Sequence, residues 1–352
     1  MHQVYFFTHL SYSQQPTVIK RCKKDCEVNI YTAREPALAA PLFKSFSQAT
    51  GIKVNTLHLK DGLPERVMSE SNRPQVDLLM VVDIGNLIDL VDKGVTQAVD
   101  VKNQNEFYEL AHIPANLRDP NGHWFALFLR NRVLYADKTL NLKSFNYEQL
   151  ADPKWQGKIC IRSGQHPYNL ALIAAYIAHY GEAETKKWLT DLKHNLARKA
   201  AGGDRDVARD ISGKICEIGI ANAYYVGKLK YFISTKSAEH VQWADAIDVI
   251  VPTFDAKKGG GTHVNISGAA LAKNAPHREN AIKLLNYLAS KPAQTIYANA
   301  NFKYPVVPEI EVHPIYSQFK TADHIKADQL TLPNIARLRT QASKIVDEIK
   351  FV

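Results

Sequence analysis

The sequence predicts an α/β fold of two lobes, each assembled from two separate stretches of the chain. From Glu27 to Val82 the hydrophobic pattern alternates between strand and helix, which is typical of a doubly wound α/β lobe. The stretch from His123 to Tyr135 is longer and extended throughout, and Ala246–Pro252 is a second apolar stretch of this kind. Each can form a strand that crosses between the lobes, so that neither lobe is continuous in sequence.

The elements of the first part of the chain follow one another closely. Val28–Tyr31 reads as a strand, and Leu38–Ala49 has helical spacing with Leu42, Phe43 and Phe46 on one face. Three further elements are predicted before the first crossing: a strand at 52–57, a helix after Pro64, and a nearly all-apolar strand at 76–82 of the sort found inside parallel sheets.

The later elements repeat this pattern. Two short apolar runs, Lys158–Ser163 and Lys214–Ile220, are predicted to be buried strands. The other predicted elements are helices at 169–180, 185–193, 278–290 and 335–349, and apolar structure at 264–272. We expect a tail or remnant of an export segment at 1–26, a first lobe at 27–127 plus 253–302, and a second lobe at 128–252 plus 303–352.

Composition excludes several classes of protein. The 352 residues are 45% hydrophobic and 22% charged, which excludes collagen-like, coiled-coil and fully disordered chains. No apolar run reaches the roughly 18 residues that a membrane helix needs. The formal net charge of +9 is spread along the chain. We interpret it mainly as a solvated surface, with a share that attracts an anion.

The N-terminus leaves two alternatives for localisation. Its short apolar piece, Val4–Phe7, precedes its basic residues, which is the wrong order for a secretory signal. Either the chain is cytoplasmic, or its first residues do not represent the natural export signal.

Two of the four cysteines occupy equivalent places in the short strands. Cys160 and Cys216 each lie a few residues before a tyrosine, and a disulfide between them is reasonable if the strands are neighbours. Two buried free thiols are the alternative. Cys22 and Cys26 have no second ligand pair nearby, so a zinc site there is not expected.

Three tyrosines stand where these strands end. Tyr224 and Tyr225 follow one strand, and Tyr168 follows the other. Ligands of open α/β sheets bind at the carboxyl ends of strands. Three phenolates would form a hard anionic oxygen site suited to ferric iron. The alternative is that these tyrosines are half-buried packing residues. His166, two residues before Tyr168, is an accessory candidate.

Two arginines are candidates for holding a small anion beside such a metal. Arg34 follows the first strand, and Arg162 lies at the end of the strand before Tyr168. Surface salt bridges are the alternative for both. The run Gly202–Val207 resembles a glycine loop with an aspartate cap opening a helix, and it lacks the spacing of a phosphate loop.

No catalytic motif is present in the sequence. It contains no Gly-x-Ser-x-Gly, no His-Glu-x-x-His, no Walker loop and no Cys-x-x-Cys. We therefore predict binding and release without chemical turnover.

Taken together, these motifs resemble one family. The chain is similar to the ferric-iron-binding proteins of bacterial ABC importers, a group that includes the iron-deficiency-induced proteins. The matching stretches are Val28–Arg34, Cys160–Ser163 with Tyr168–Asn169, Asn195–Lys199 through Asp206, and Asn222–Tyr225 with Gly227–Leu229. The resemblance covers the chain from Glu27 to its C-terminus.

The resemblance implies a two-lobe periplasmic-binding-protein-like fold of type II. It further implies that Tyr168, Tyr224 and Tyr225 ligate ferric iron in the cleft, and that Arg34 binds carbonate or another small synergistic anion. The expected partner is an inner-membrane ABC permease, and the expected protein is a periplasmic monomer. Many relatives carry His-Tyr after the arginine of the first motif, whereas Glu35 and Pro36 stand here, which leaves Glu35 as a candidate ligand.

Three other functions remain open on the sequence. The same fold could bind a small oxyanion or an organic phosphonate through Arg34, Arg162 and backbone amides. A nucleic-acid-binding protein is disfavoured because basic and aromatic residues are not interleaved on any segment. An enzyme with a tyrosine-bound ferric centre is disfavoured because no general base is evident beside the tyrosines.

Overall fold

The computed structural model describes most of the chain as two compact units. The described residues are 21–34, 36–59, 61–231, 237–255, 257, 260–319 and 327–351. One unit, here the tyrosine unit, contains 130–265 and the described part of 313–352. The other, here the Arg34 unit, contains the described part of 9–129 together with 266–312.

Strands and helices alternate along the described chain, which confirms the α/β class. The strands are β1 Glu27–Thr32, β2 Lys53–His58, β3 Leu78–Val82, β4 Thr96–Gln97, β5 Phe125–Asp137, β6 Ile159–Cys160, β7 Ile218–Asn222, β8 Ile247–Ile250, β9 Val264–Ala272 and β10 Tyr304–Pro305.

The α-helices lie between and after these strands. They are α1 Pro36–Thr50, α2 Leu63–Ser69, α3 Ile84–Asp92, α4 Gln104–Ala111, α5 Pro167–His194, α6 Asp204–Ser212, α7 Tyr224–Tyr231, α8 Ala238–Asp245, α9 Arg278–Ala289, α10 Lys291–Asn301, α11 Leu332–Arg337 and α12 Arg339–Glu348. Short 3₁₀ turns occur at Ala115–Leu117, Lys138–Leu140, Tyr147–Ala151, Pro153–Trp155 and Pro314–Gln318. Among the described helices, none combines the length and the apolar character needed to cross a bilayer.

The Arg34 unit is organised on parallel strands. β1 pairs in parallel with both β2 and β3, and β9 pairs antiparallel with β3. β4 also pairs with β9, and β10 pairs with the first half of β5. β3 is apolar throughout and nearly completely buried, as expected for a strand inside a sheet that helices cover.

The tyrosine unit is organised on the second half of β5. That half pairs antiparallel with β7 and with β8, and β6 pairs in parallel with β7. α5 is interrupted at Gly181, where φ is 82°. Glycine adopts this left-handed conformation without strain. The helix predicted at 169–180 therefore ends where the sequence indicated.

The boundaries between the two units fall inside two strands. One lies between Leu129 and Arg130 in β5, the strand expected to cross. The other lies between Asn265 and Ile266 in β9, whereas the sequence suggested Ala246–Pro252. That stretch forms β8, which pairs with β5 inside the tyrosine unit. Residues 253–265 therefore belong to the tyrosine unit, and 303–312 belong to the Arg34 unit.

β7 begins later than the sequence suggested. Lys214 has a φ of 58° and Ile215 is exposed, so the chain turns there before the strand begins at Ile218. At Gly219 the backbone of β7 approaches β6 so closely that an added Cβ would lie 2.2 Å from the carbonyl oxygen of Cys160. The strand then ends at Asn222, directly before the tyrosine pair.

Cys160 and Cys216 are joined in a disulfide, with their Cα atoms 5.8 Å apart. The bond links β6 to the residues just before β7, the two strands that lead to the tyrosines. Cys22 and Cys26 form a second disulfide. The free-thiol alternative for Cys160 and Cys216 does not hold in this structure.

Removing the longer disulfide should destabilise the protein more than removing the shorter one. The Cys160→Ser, Cys216→Ser variant releases residues 56 apart in sequence, for which chain entropy predicts a loss of about 4 kcal/mol. The matched Cys22→Ser, Cys26→Ser variant releases residues 4 apart, and about 2 kcal/mol is expected. Urea unfolding of both variants measures the difference, and equal losses would contradict it.

Candidate metal centre

Three tyrosines lie close together at the starts of two helices. Tyr168 is the second residue of α5, and Tyr224 and Tyr225 are the first two residues of α7. α7 follows β7 after one residue, so the tyrosine pair is set at the carboxyl end of that strand. α5 begins with Pro167, a residue well suited to the first helical turn.

The three phenols converge in the tyrosine unit. The hydroxyl oxygens of Tyr168 and Tyr224 are 3.4 Å apart. The ring centroids of Tyr224 and Tyr225 are 4.3 Å apart with an interplanar angle of 31°. The structure therefore brings together the three tyrosines that the sequence nominated, and their oxygens can face a common ion.

Burial keeps two of these phenols protonated in the absence of metal. Tyr224 is buried, and the loss of water raises its pKa well above 10, with further increases from the charges of Tyr168 and Tyr225. Loss of water also raises the pKa of Tyr225, although the residue as a whole is only half-buried. A multiply charged cation would supply the free energy needed to expel these protons.

Cationic side chains surround the same rings. The guanidinium carbons of Arg130, Arg162 and Arg132 lie 4.6, 5.2 and 5.9 Å from the centroid of the Tyr168 ring. The Nζ atom of Lys228, a buried lysine, lies 4.9 Å from the Tyr224 centroid and 5.3 Å from that of Tyr225. Of these cations, Arg162 lowers the pKa of Tyr225, although the loss of water around the phenol outweighs it.

His166 caps the helix that carries Tyr168. Its Nδ1 accepts the backbone N–H of Tyr168 at 3.2 Å, and the two rings meet edge to face at 4.5 Å. Burial, followed by the positive charge of Arg162, lowers the pKa of His166 to about 3. The neutral imidazole therefore accepts a hydrogen bond at the start of α5. This capping role explains why His166 lies beside the three tyrosines.

Asp204 is a buried carboxylate among these cations. Its Oδ2 accepts from Arg132 at 2.6 Å, and its Oδ1 accepts from Arg162 at 3.3 Å. Burial alone would raise the pKa of Asp204, but the two arginines lower it, so this carboxyl group is ionised. The aspartate that caps the start of α6 is Asp206, whose carboxylate accepts the N–H of Gly203 at 2.6 Å.

Sequence reasoning missed Arg130, Arg132, Lys228 and the pairing role of Asp204. A signal for the first two was present, because they lie in a largely apolar strand and all 13 residues of β5 are buried. Charged residues inside a buried strand need partners. Within the described part of the chain, no group of three or more His, Cys, Asp or Glu side chains is arranged to hold a metal ion.

Arg34 lies in the Arg34 unit, directly after β1. Its guanidinium is buried and packs over the ring of Phe128, 4.3 Å from the centroid, and near Tyr297 at 5.6 Å. Its backbone N–H donates to Thr32 Oγ1 at 3.0 Å. A surface salt bridge, the alternative weighed from the sequence, does not describe this buried side chain. Glu35, the candidate ligand of the first motif, lies outside the described residues.

His263 is a buried histidine beside the strand that carries Arg132. Its backbone N–H donates to the Tyr147 hydroxyl at 3.2 Å, and that hydroxyl donates to the carbonyl oxygen of Arg132 at 2.7 Å. Neither ring nitrogen of His263 has a hydrogen-bond partner among the described residues. Burial, followed by the charges of Arg132 and Arg130, lowers its pKa to about 3.

Comparison with known proteins identifies the family. Residues 74–329 match the family described as bacterial extracellular solute-binding protein. The chain belongs to this family. Iron uptake protein A2 of Synechocystis sp. is 35% identical to it over 324 residues, which cover 92% of this chain and 89% of that protein.

Solved structures of this family share the fold. The Bordetella ferric binding protein is 55% identical, has a TM-score of 0.81, and aligns over 92% of this chain and 99% of its own. A Trichodesmium protein solved in complex with iron and citrate is 33% identical with a TM-score of 0.81, over 93% and 100% of the two chains. The expected resemblance to ferric-binding proteins, and the fold class that it implied, are confirmed.

Acid should destabilise the protein partly through His263. Its pKa is lowered from 6.5 to about 3 in the folded state, so its contribution is complete above pH 6.5 and is lost as the pH falls toward 3. Between these pH values the free energy of unfolding should change less steeply with pH in His263→Gln, by at most about 1.4 kcal/mol per pH unit. Urea unfolding at several pH values measures the slope.

His194→Gln is the control for this prediction. His194 is exposed at the end of α5 in the same unit, so its replacement removes an imidazole without disturbing buried contacts. An unaltered slope in His263→Gln would contradict the prediction.

Proposed function

We propose that this protein binds ferric iron through the phenolates of Tyr168, Tyr224 and Tyr225, together with carbonate or another small anion. The observation that carries the proposal is the convergence of three phenols among cationic side chains, with hydroxyls of Tyr168 and Tyr224 3.4 Å apart. Packing alone does not explain the cations around these phenols, because each buried charge loses hydration and needs a partner.

Charge balance favours a trivalent ion over a divalent one. Three phenolates neutralise three positive charges, so a ferric ion and its tyrosines form a neutral group. Asp204 supplies one negative charge to both Arg132 and Arg162, so a small anion would balance the second of these two arginines. We propose that Arg162 contributes to anion binding, and that Arg34 does so as well.

The biological role that we propose is iron uptake without chemical turnover. Relatives of 35% identity or more carry the names iron uptake protein and ferric binding protein, which supports the same cargo here. As an extracellular solute-binding protein, the monomer would act in the periplasm and deliver iron to an inner-membrane ABC permease. The two disulfides fit an oxidising compartment of this kind.

A second candidate is a carrier of a small oxyanion or an organic phosphonate. The three arginines around Tyr168 favour it, because guanidinium groups are well suited to phosphate and carboxylate oxygens. Thermal-shift measurements on metal-free protein with phosphate, sulfate and a simple phosphonate would detect such binding in the absence of iron.

Ferric iron should give the metal-free protein a visible absorption band. We expect a phenolate-to-iron charge-transfer band that saturates at one metal per chain when chelated ferric iron is added with bicarbonate. The Tyr224→Phe, Tyr225→Phe variant should lose the band, because two of the three phenolates are gone. Tyr231→Phe is the matched control, since Tyr231 lies exposed at the other end of α7 and should not contribute.

Absence of the band from the intact protein would contradict the ferric proposal. Screening of small anions would then be the next experiment. A band that survives in the double variant would exclude Tyr224 and Tyr225 as ligands while leaving iron binding in place.

The requirement for bicarbonate should depend on the two arginines. Arg162→Gln and Arg34→Gln should each raise the bicarbonate concentration needed for half-maximal colour by roughly tenfold, the value of a hydrogen bond to a charged group. Arg209→Gln is the control, because Arg209 is an exposed arginine that pairs with Asp206 and Asp210 on α6. An unchanged requirement in either variant would remove that arginine from the anion site.

A further inference from the structure

The carboxylate of Asp204 connects three separate segments of the tyrosine unit. Besides accepting from Arg132 and Arg162, its Oδ2 accepts the backbone N–H of Asn222 at 2.8 Å. Asn222 is the last residue of β7 and stands two residues before Tyr224. The side chain of Asp204 has no exposed surface, so these contacts are shielded from water.

The guanidinium of Arg132 extends the connection to the other tyrosine-bearing helix. Its Nη2 donates to Asn169 Oδ1 at 2.7 Å, and its Nη1 donates to Asn222 Oδ1 at 3.2 Å as well as to Asp204. Asn169 is the residue after Tyr168. The buried guanidinium of Arg132 therefore contacts Asn169 and Asn222, which lie within two residues of Tyr168 and Tyr224.

Covalent structure alone does not hold these two helix starts at a fixed distance. Tyr168 and Tyr224 are far apart in sequence, and each phenol oxygen lies at the end of a long side chain, so a small tilt of either helix displaces it. Ligand sets of this kind must be held to within about 0.5 Å of their working geometry. A planar guanidinium with several donors can fix both starts at once, which a lysine cannot do.

Stability does not account for such a pair. A buried ion pair loses hydration of both charges, and an apolar replacement of similar volume is often as stable. The charge of Asp204 also has opposed effects on the site, because it attracts a cation yet disfavours ionisation of Tyr225. The contacts with Asn169 and Asn222 instead support a role in fixing the positions of the tyrosines.

We infer that Asp204 is a positioning residue that, through Arg132, sets the relative placement of Tyr168 and Tyr224 as iron ligands. This inference rests on the proposed function. Asp204 itself does not touch the metal, and it acts by ordering the arginine that contacts the residues beside both tyrosines.

The test is a ferric titration of Asp204→Asn followed by its visible spectrum. We expect iron affinity to fall at least tenfold and the charge-transfer maximum to shift, because the phenolates are no longer held in one arrangement. Asp210→Asn is the matched control: Asp210 lies on the same helix, its side chain is as buried, and it pairs with Arg198 at 2.6 Å and Arg209 at 2.9 Å. It should lose stability and keep the wild-type band and affinity.

Each outcome is decisive. A wild-type band and affinity in Asp204→Asn would overturn the inference while the ferric proposal stands. Equal changes in Asp204→Asn and Asp210→Asn would also overturn it, since the role would then be general stability. No band in the wild-type protein would remove the ferric proposal itself, and the inference with it.

A second variant covers failure of Asp204→Asn to fold. Arg132→Lys keeps the positive charge next to Asp204 but cannot donate to Asp204, Asn169 and Asn222 together. We expect a shifted band and weaker iron binding in this variant. An unshifted band with wild-type affinity would overturn the inference.

Discussion

The buried pair formed by Arg132 and Asp204, 2.6 Å apart, is the interaction on which the tyrosine unit depends. Neither charge could be buried alone without a large loss of hydration. Asp204 also pairs with Arg162, so one carboxylate holds two of the arginines that lie against the ring of Tyr168. The chain around the pair supplies the starts of α5 and α7, and with them the three phenols. The pair therefore contacts residues beside both helix starts that carry the candidate metal centre.

This arrangement suits a protein that must both take up and release a cargo. Without metal, burial keeps the protons on Tyr224 and Tyr225, so the site is not left with a cluster of unpaired negative charges. Under the proposed function, binding of a ferric ion would expel these protons, and the surrounding cations would help to stabilise the phenolates. Removal of the anion or addition of protons would then favour release of the ion. In this proposal, uptake and release differ in protonation and charge, without a chemical reaction.

The fold class and the three tyrosines of the candidate site were predictable from the sequence. Tyr168, Tyr224 and Tyr225 each follow a short apolar run, and parallel neighbouring strands bring such positions together. The pairing of Arg132 with Asp204 was not predictable, because they are 72 residues apart and pairing depends on how β5 meets α6. The second unit boundary was misplaced because β8 and β9 are both apolar stretches, and only their pairing distinguishes a strand that crosses from one that does not. The start of β7 depended on a left-handed residue, Lys214, which hydrophobic pattern does not reveal.

The most direct test of the central claim is a crystal structure of the iron-loaded protein with diffraction data collected at the iron absorption edge. We predict one anomalous peak per chain, bonded to the hydroxyl oxygens of Tyr168, Tyr224 and Tyr225. A peak bonded to other residues, or no peak in crystals of protein saturated with ferric iron, would contradict the assignment of these tyrosines as the iron ligands.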